Sequence, residues 1–256
     1  MRFFNGRMMI DLHNGDCLEI MKSIPDGSVD MILADPPYGT TACKWDTVIP
    51  FDLMWEQLNR IIKPNGAIVL FGSEPFSSAL RMSNIKQYKY DWVWDKKSVS
   101  NPQLSKIQPM KSFENVLVFG FKKINYYPQG LIKREKPDVR KNKSNETEKL
   151  KHNSRNAYVS EYTNYPSMLN SLKYPREHNN NTLHPTQKPV ALMEYLIKTY
   201  TNENETVLDF TMGSGSTMIA CLNTNRKGIG IELDKHYFDV ANKRINEHKA
   251  ALDAVF

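Results

Sequence analysis

An acidic residue, two prolines and an aromatic residue, Asp35-Pro36-Pro37-Tyr38, follow the apolar run at residues 29–34. Such a run, closed by prolines, is typical of a buried strand that stops abruptly. Ligands of open α/β sheets bind beyond the carboxyl ends of strands, so Asp35 is expected at a binding crevice. Its carboxylate and a carbonyl of the stiff turn can accept hydrogen bonds from an amine, and Tyr38 offers a flat face. This set suits a planar amine-bearing ring such as adenine. The alternative is a simple turn in which Asp35 caps a helix.

A glycine turn, Gly213-Ser214-Gly215, lies between a predicted strand at residues 205–209 and a predicted helix that runs through Leu222. Glycine lets the backbone approach a ligand closely, and the start of a helix carries the positive end of its dipole. Glu232 ends the next predicted strand about 20 residues later, where an acidic residue commonly accepts hydrogen bonds from ribose hydroxyls. Asp16 lies at another strand-to-helix junction, where the ordinary role is a helix N-cap.

The hydrophobic pattern alternates strands with helices along most of the chain. Predicted strands cover residues 10–13, 29–34, 67–71, 90–95, 115–121, 205–209 and 228–232. Predicted helices begin near residues 17, 54, 76, 190, 216 and 238. Residues 63–66 are expected to form the turn that ends the second helix, and residues 39–48 an irregular loop beside the crevice. This order predicts an α/β fold with a mostly parallel sheet.

Composition limits the class of protein. The chain has 256 residues, of which 40% are hydrophobic and 24% charged, as in soluble globular proteins. We expect neither a membrane span nor a secretory leader. The three cysteines are dispersed without metal-ligand spacing, which favours a reducing cytoplasm and no metal site.

The positive charge of the chain is concentrated in one segment. Residues 122–155 contain 11 Lys or Arg against 4 Asp or Glu, a net charge of +7, whereas the whole chain carries +6. From residue 122 to residue 181 the sequence is also rich in Asn, Ser and Tyr and has no clear periodicity. Such a segment fits an insertion that binds nucleic acid through phosphate contacts and base stacking, or a solvated loop.

Three motifs together resemble an S-adenosylmethionine-dependent DNA amino-methyltransferase of the β class. They are Asp35-Pro36-Pro37-Tyr38, His184-Pro185-Thr186-Gln187-Lys188-Pro189 and the stretch from Asp209 to Thr217. The resemblance covers nearly the whole chain outside residues 122–181. One departure is Asp209-Phe210-Thr211, where the family usually has Asp-Pro-Phe.

The resemblance implies a Rossmann-like fold with circularly permuted motif order, in which the strands ending at Asp35 and Asp209 lie side by side. Residues 1–256 would form a single catalytic domain, with residues 122–183 as an inserted basic target-recognition region. The substrate would be double-stranded DNA in the cytoplasm of a bacterial or phage-infected cell, associated with the nucleoid. A homodimer and a partner restriction enzyme both stay open.

The resemblance also implies residue roles. Asp35 and the Pro36 carbonyl would grip the target amine, with Pro37 stiffening the turn and Tyr38 stacking on a flipped base. S-adenosylmethionine would be bound by Asp16 at its adenine and Glu232 at its ribose. Lys188, with Thr186 and Gln187, would meet its methionine carboxylate. The remaining cofactor contacts would come from Asp209, Phe210, Met212, Gly213, Ser214, Gly215 and Ser216.

Several alternatives compete with N6-adenine methylation of DNA. N4-cytosine methylation uses the same geometry, although that family more often has Ser at the position of Asp35. C5-cytosine methylation needs a cysteine nucleophile, usually after proline, and no cysteine here follows proline. Methyltransferases of RNA or of protein glutamine usually place the glycine loop first. A DNA-binding protein without catalysis would explain the basic segment but not Asp35 beside the glycine turn. A nicotinamide oxidoreductase would explain the glycine turn but not the Asp-Pro-Pro-Tyr turn.

Overall fold

The computed structural model describes residues 9–40, 46–100, 105–141, 159–166, 171–176, 183 and 187–254. The strands are β1 Ile10–Asn14, β2 Val29–Ala34, β3 Ile62–Gly72, β4 Tyr88–Ser100, β5 Lys111–Phe119, β6 Leu131–Lys141, β7 Val159–Pro166, β8 Ser171–Lys173, β9 Thr206–Asp209 and β10 Lys227–Glu232. The helices are α1 Cys17–Met21, α2 Phe51–Ile61, α3 Phe76–Ser83, α4 Val190–Tyr200, α5 Ser216–Asn223 and α6 Lys235–Asp253.

Eight of these strands form one sheet in the order β1-β10-β9-β2-β3-β5-β4-β8. All neighbouring pairs are parallel except β3 with β5 and β4 with β5. Strand β2 pairs directly with β9, with Ile32 opposite Leu208, so the predicted adjacency of these two strands is confirmed. The chain order diverges on either side of this pair, and such a switch point opens a crevice at the carboxyl ends of the strands.

The core explains why β2 lies in the middle of the sheet. Every residue of β2 is buried, which an apolar strand covered on both faces requires. Ile32 belongs to a core cluster with Leu58 of α2 and Leu80 of α3, on one side of the sheet. Helix α4 packs against β2 as well, and α5 against β9 and β10. Consecutive side chains of a strand point to opposite faces of the sheet, so β2 contributes buried side chains to the core on both faces.

Two stretches differ from the sequence predictions. Residues 63–66 lie inside β3 and do not form a separate turn, because Val29 pairs with Ile62 and Met31 with Ala67, which leaves them as a bulge. Within the segment predicted to lack regular structure, β6 and β7 pair antiparallel and β8 joins the main sheet. Long-range strand pairing, which no local pattern encodes, orders these residues.

The chain divides into two compact units. Residues 1–127 and 170–256 form the larger unit, which contains the eight-stranded sheet. Residues 128–169 form the smaller unit, which contains the β6–β7 pair. The assignment of residues 122–183 to target recognition stays a prediction. Among the described helices, none is long and apolar enough to cross a membrane.

Candidate functional site

A cavity of about 470 Å³ lies beyond the carboxyl ends of β2 and β9. Its volume is in the range typical of small-molecule sites. Most of the residues predicted from sequence line it: Asp16, Asp35, Pro36, Pro37, Tyr38, Gln187, Lys188, Asp209, Phe210, Met212, Gly213, Ser214, Ser216 and Glu232. Gly215 lies next to these but does not line the cavity, and Thr186 falls outside the described residues, as do His184 and Pro185.

Asp35 occupies the position just after the buried strand β2, with 17% of its side chain exposed. Its Oδ1 accepts a hydrogen bond of 2.5 Å from the Tyr38 hydroxyl, and its Oδ2 accepts one from the Lys188 ammonium. The Tyr38 ring stacks on Phe76 with centroids 4.9 Å apart. The rigid Pro-Pro turn, one aromatic platform and one ammonium therefore fix the direction of this carboxylate.

Lys188 lies between two carboxylates. Its ammonium pairs with Asp35 and lies 3.5 Å from Glu114 Oε2. Its contact with the methionine carboxylate of the cofactor stays a prediction. Glu114 also pairs with Lys96 at 3.2 Å. Because β5 runs antiparallel to β3, Glu114 lies near the carboxyl edge of the sheet, where Gly72 pairs with Asn115.

Burial and these ion pairs shift the pKa values of the ionisable side chains around Asp35. Burial raises the pKa of the Asp35 carboxyl, and the Lys188 ammonium opposes this rise. Burial also raises the pKa of the Tyr38 hydroxyl well above its ordinary value. For Lys188, burial alone would lower the pKa, but Asp35 and Glu114 hold it above the ordinary value. Glu114 has a lowered pKa, because Lys188 and Lys96 outweigh its burial.

A second carboxylate, Asp209, anchors the glycine turn. Its Oδ2 accepts a hydrogen bond of 2.5 Å from the Thr217 hydroxyl, and its Oδ1 accepts one of 3.1 Å from the Thr211 amide. Burial raises the pKa of Asp209 to about 7. Both oxygens are therefore used inside the loop, so Asp209 shapes the binding surface that Gly213 and its neighbours present.

The turn itself depends on backbone freedom. Gly215 has φ +78° and caps the start of α5, a left-handed conformation that glycine adopts without strain. A Cβ at Gly215 would lie 2.9 Å from Ile245 Cδ1 of α6. Space as well as φ therefore requires glycine at this position.

The departure from the usual Asp-Pro-Phe sequence joins the two predicted motifs. The Thr211 hydroxyl donates a hydrogen bond of 3.1 Å to the backbone carbonyl of Asp35. The Asp35 turn and the glycine turn are thus in direct contact at the adjacent ends of β2 and β9.

The opposite end of the cavity is formed by Asp16 and Glu232. Strands β1 and β10 pair in parallel, and Gly15 donates a backbone hydrogen bond of 3.0 Å to the Glu232 carbonyl, which brings the two carboxylates to one end. Asp16 caps α1 by accepting a hydrogen bond of 2.7 Å from the Leu18 amide, as its ordinary role predicted. Glu232 accepts from the Gly213 amide at 2.9 Å and has a pKa raised by burial.

Hydrogen bonds of Ser214 and Ser216 hold the glycine turn in place. The Ser214 hydroxyl donates to Gln187 Oε1 at 3.0 Å, so Gln187 holds the glycine turn. Arg244 of α6 donates to the Ser214 carbonyl at 3.0 Å and to the Ser216 hydroxyl at 3.1 Å. The loop is therefore fixed from both sides.

The lining suits a cationic nucleoside. Among the described lining residues, five are acidic and one, Lys188, is basic: the acids are Asp16, Asp35, Asp46, Asp209 and Glu232. Such a cavity favours a cation, and carboxylates at one end can accept hydrogen bonds from ring amines and hydroxyls.

Comparison with known proteins agrees with this arrangement. A family model described as DNA methylase (N6_N4_Mtase) matches residues 29–243. The chain belongs to this family of S-adenosylmethionine-dependent DNA amino-methyltransferases. Among the family's proteins, the chain is 26% identical to the Type II methyltransferase M.HpaI of Haemophilus parainfluenzae, over 94% of this chain and 75% of the relative. It is 27% identical to M.HinfI of Haemophilus influenzae, over 92% of this chain and 68% of the relative.

Solved structures of the family share the fold. A crystal structure of the M1.HpyAVI–SAM complex matches with a TM-score of 0.61 and 28% identity, covering 92% of this chain and all of that one. The cytosine-N4-specific PvuII DNA methyltransferase matches with a TM-score of 0.65 at 17% identity, over 95% of this chain and 94% of that one. The predicted Rossmann-like fold and the S-adenosylmethionine cofactor are thereby confirmed.

The sequence analysis assigned no role to five residues at or near the cavity: Thr211, Thr217, Arg244, Glu114 and Lys96. Thr211 and Thr217 were visible as hydroxyls flanking the glycine turn. There was less reason in the sequence to select Arg244, because it lies on the last helix, α6, far along the chain from the glycine turn. Glu114 and Lys96 lie in ordinary strand sequence. The pairing of β4 with β5 brings them together, and Glu114 also lies beside Lys188.

Proposed function

We propose that this DNA methylase transfers a methyl group from S-adenosylmethionine to the N6 amino group of adenine in double-stranded DNA. One observation carries the proposal: Asp35 and the glycine turn line the same cavity and are joined by the hydrogen bond from the Thr211 hydroxyl to the Asp35 carbonyl. A donor beside the glycine turn and an amine on Asp35 would therefore meet within one cleft.

The cofactor fits the end of the cavity near Asp16 and Glu232. Asp16 would accept from the adenine amine and Glu232 from the ribose hydroxyls, while the backbone around Gly213 would lie along the methionine portion. When bound, S-adenosylmethionine supplies a methyl group on a sulfonium, which is already activated for transfer. The acidic lining would attract this cation.

Asp35 would act on the acceptor. The lone pair of an exocyclic adenine nitrogen is delocalised into the ring, which makes the nitrogen a poor nucleophile. Asp35 would accept a hydrogen bond from one N–H of the amine, and the Pro36 carbonyl would accept one from the other. These two hydrogen bonds would favour a pyramidal nitrogen with its lone pair directed at the methyl carbon. The contribution of these residues is then alignment and electrostatic stabilisation.

The electrons and protons balance without further reagents. When bound, the cofactor would supply the methyl carbon and would retain on its sulfur the electron pair of the broken C–S bond, while the lone pair of the amine nitrogen would form the new N–C bond. The nitrogen is briefly cationic and loses one proton, which Asp35 accepts and passes to water. Asp35 is therefore needed in its ionised form before transfer.

The target base must leave the duplex to reach this carboxylate. Tyr38 is already stacked on Phe76 and held at Asp35, so it offers a preformed aromatic wall at the base site. A pre-positioned wall lowers the cost of ordering the flipped base.

Adenine is favoured over cytosine by the acidic residue at position 35, since N4-cytosine enzymes more often have serine there. The test is transfer of labelled methyl from S-adenosylmethionine to unmodified DNA, followed by nucleoside analysis. Label on N6-methyladenine supports the proposal, and label on N4-methylcytosine overturns the choice of base. Asp35→Asn is the matched variant, because it keeps the shape of the side chain but removes its charge, and it should abolish most of the labelling.

We also propose that the segment from Lys122 to Arg155 binds DNA phosphates in the bacterial or phage-infected cell. The support is its net charge of +7. Removing one interaction with a phosphate should reduce the slope of the salt dependence of binding by roughly one unit. Neutralising four lysines of this segment should therefore weaken binding and flatten that slope. Neutralising exposed lysines of α6, such as Lys235 and Lys243, is the control, and equal slopes in both variants would refute the assignment. A partner restriction enzyme and a homodimer are compatible with this role.

A further inference from the structure

A row of alternating charges extends from the cavity into the sheet. The Lys188 ammonium bonds to Asp35 Oδ2 and lies 3.5 Å from Glu114 Oε2, and Lys96 lies 3.2 Å from Glu114 Oε1. The four groups belong to four different places in the fold: the end of β2, the residues before α4, β5 and β4. Only tertiary structure brings them together.

The row is shielded from water. The exposed fractions of the side chains are 6% for Lys188, 16% for Glu114 and 5% for Lys96. The Lys188 ammonium also lies 5.1 Å from the Phe71 ring centroid and 5.8 Å from that of Trp94. In such surroundings a charge acts on its neighbours much more strongly than it does in water.

The other polar and charged groups facing Asp35 are few. The Tyr38 hydroxyl donates to it from the following turn, and Asp209 approaches from β9 as a second acid. Asp46 lies beyond Tyr38, where it accepts from the Gly39 amide at 2.9 Å. Glu232 acts on Asp209 from β10. Glu114 and Asp209 oppose ionisation of Asp35, whereas Asp46 acts on Tyr38 and Glu232 on Asp209. Lys188 is the cation that favours ionisation among the described residues that face this carboxyl.

We propose that Lys188 is a positioning residue that keeps Asp35 ionised and directed into the cavity, and that Glu114 moderates this effect by sharing the Lys188 ammonium. This inference rests on the proposed function for its consequence in methyl transfer. The electrostatic relation between the three side chains can be tested without transfer.

The proposal predicts opposite effects for the two neighbours of Asp35. Lys188→Met removes the stabilising cation, so protonation of Asp35 should shift upward by about one to three pH units. Glu114→Gln removes a repelling carboxylate and leaves the ammonium to Asp35 alone, so protonation should shift downward. Lys188→Arg retains the charge and should restore the ionisation of Asp35 that Lys188→Met loses. If Lys188 and Glu114 had only a structural role, both variants would lose activity or stability, and the protonation of Asp35 would not shift in opposite directions.

The direct experiment is a ¹³C NMR titration of aspartate carboxyl groups in the full chain without cofactor or DNA, with Asp35→Asn to assign the signal. The same variants are then assayed for methyl transfer against pH. At fixed pH, the rate of Lys188→Met should fall about tenfold for each unit by which the Asp35 pKa exceeds the assay pH. The acid limb of its profile should move upward, and that of Glu114→Gln downward.

Lys63→Met is the matched control. Lys63 pairs with Asp30 at 2.6 Å near the start of β2, at the far end of the strand from Asp35. Its removal should leave the Asp35 titration and the pH profile unchanged. Equal Asp35 titrations in wild type, Lys188→Met and Glu114→Gln would overturn the proposal, as would two shifts of the same sign. If the titrations shift as expected but no DNA is methylated, the electrostatic inference stands and the proposed function fails.

Discussion

Replacing Asp209 by asparagine tests how the glycine turn is built. Asparagine keeps the shape of the side chain, can accept from the Thr211 amide, and can donate to the Thr217 hydroxyl oxygen. The substitution removes only the charge that burial opposes. We therefore expect the variant to fold, with a cost near neutral pH of about 1 kcal/mol or less.

The pH dependence gives the sign and size of the effect. The Asp209 pKa rises from 3.8 to about 7 on folding. Between these values the native protein binds a proton that the unfolded chain does not, so stability rises as the pH falls and is lost as the pH rises through about 7. At pH 6, one unit below the folded pKa, the protonated carboxyl still contributes about 1 kcal/mol, since one pKa unit corresponds to 1.36 kcal/mol. By pH 8.5 Asp209 is ionised in both the folded and the unfolded state, and this contribution is close to zero.

Denaturant unfolding of wild type and Asp209→Asn at about pH 6 and pH 8.5 measures this difference, and groups common to both proteins cancel. The variant should gain about 1 kcal/mol relative to wild type between the two pH values, nearly all of it below pH 7. Thr217→Val gives a second check. Loss of the hydroxyl hydrogen bond should raise the Asp209 pKa further, so the loss of stability with rising pH should extend to higher pH. Parallel stability curves for wild type and Asp209→Asn would refute the reasoning.

Two further predictions concern the walls of the cavity. Tyr38→Phe removes the hydroxyl that donates to Asp35. It should slow methyl transfer roughly 10- to 150-fold, since a hydrogen bond to a charged group contributes roughly 1.5–3 kcal/mol; unchanged single-turnover rates would contradict this. Gly215→Ala combines a left-handed φ with the close approach to Ile245, so it should cost more than the roughly 1–2 kcal/mol of the backbone term alone. Gly27→Ala is its control, because Gly27 has φ +57° and a Cβ there meets nothing within 4 Å; equal losses of unfolding free energy would show that packing against α6 is unimportant.

The sequence was sufficient to predict the centre of the molecule. Asp35 and Asp209 each lie at the end of a predicted strand, and parallel strands present their carboxyl ends at one edge of the sheet. The resemblance of the motifs to the methyltransferase family added that these two strands are neighbours. Glycine at positions 213 and 215 likewise marked the turn, because few other residues adopt those backbone angles.

The surroundings of Asp35 could not be predicted in the same way. Glu114 reaches Lys188 because β5 pairs antiparallel with β3 in one register, and a shift of one residue would turn its side chain to the other face. The motif around Lys188 gave the position of this residue along the chain, but it did not show that its ammonium pairs with Asp35 and Glu114. Buried ion pairs of this kind depend on tertiary register.

The central claim is that Asp35 acts on the acceptor amine and not on the cofactor. The most direct measurement compares Asp35→Ala with wild type in two assays on the same preparation: calorimetric binding of S-adenosylmethionine and single-turnover methyl transfer to unmodified DNA. We expect a dissociation constant for the cofactor within about threefold of wild type, and a transfer rate lower by about 10²–10³-fold. Full transfer activity in Asp35→Ala would contradict the account.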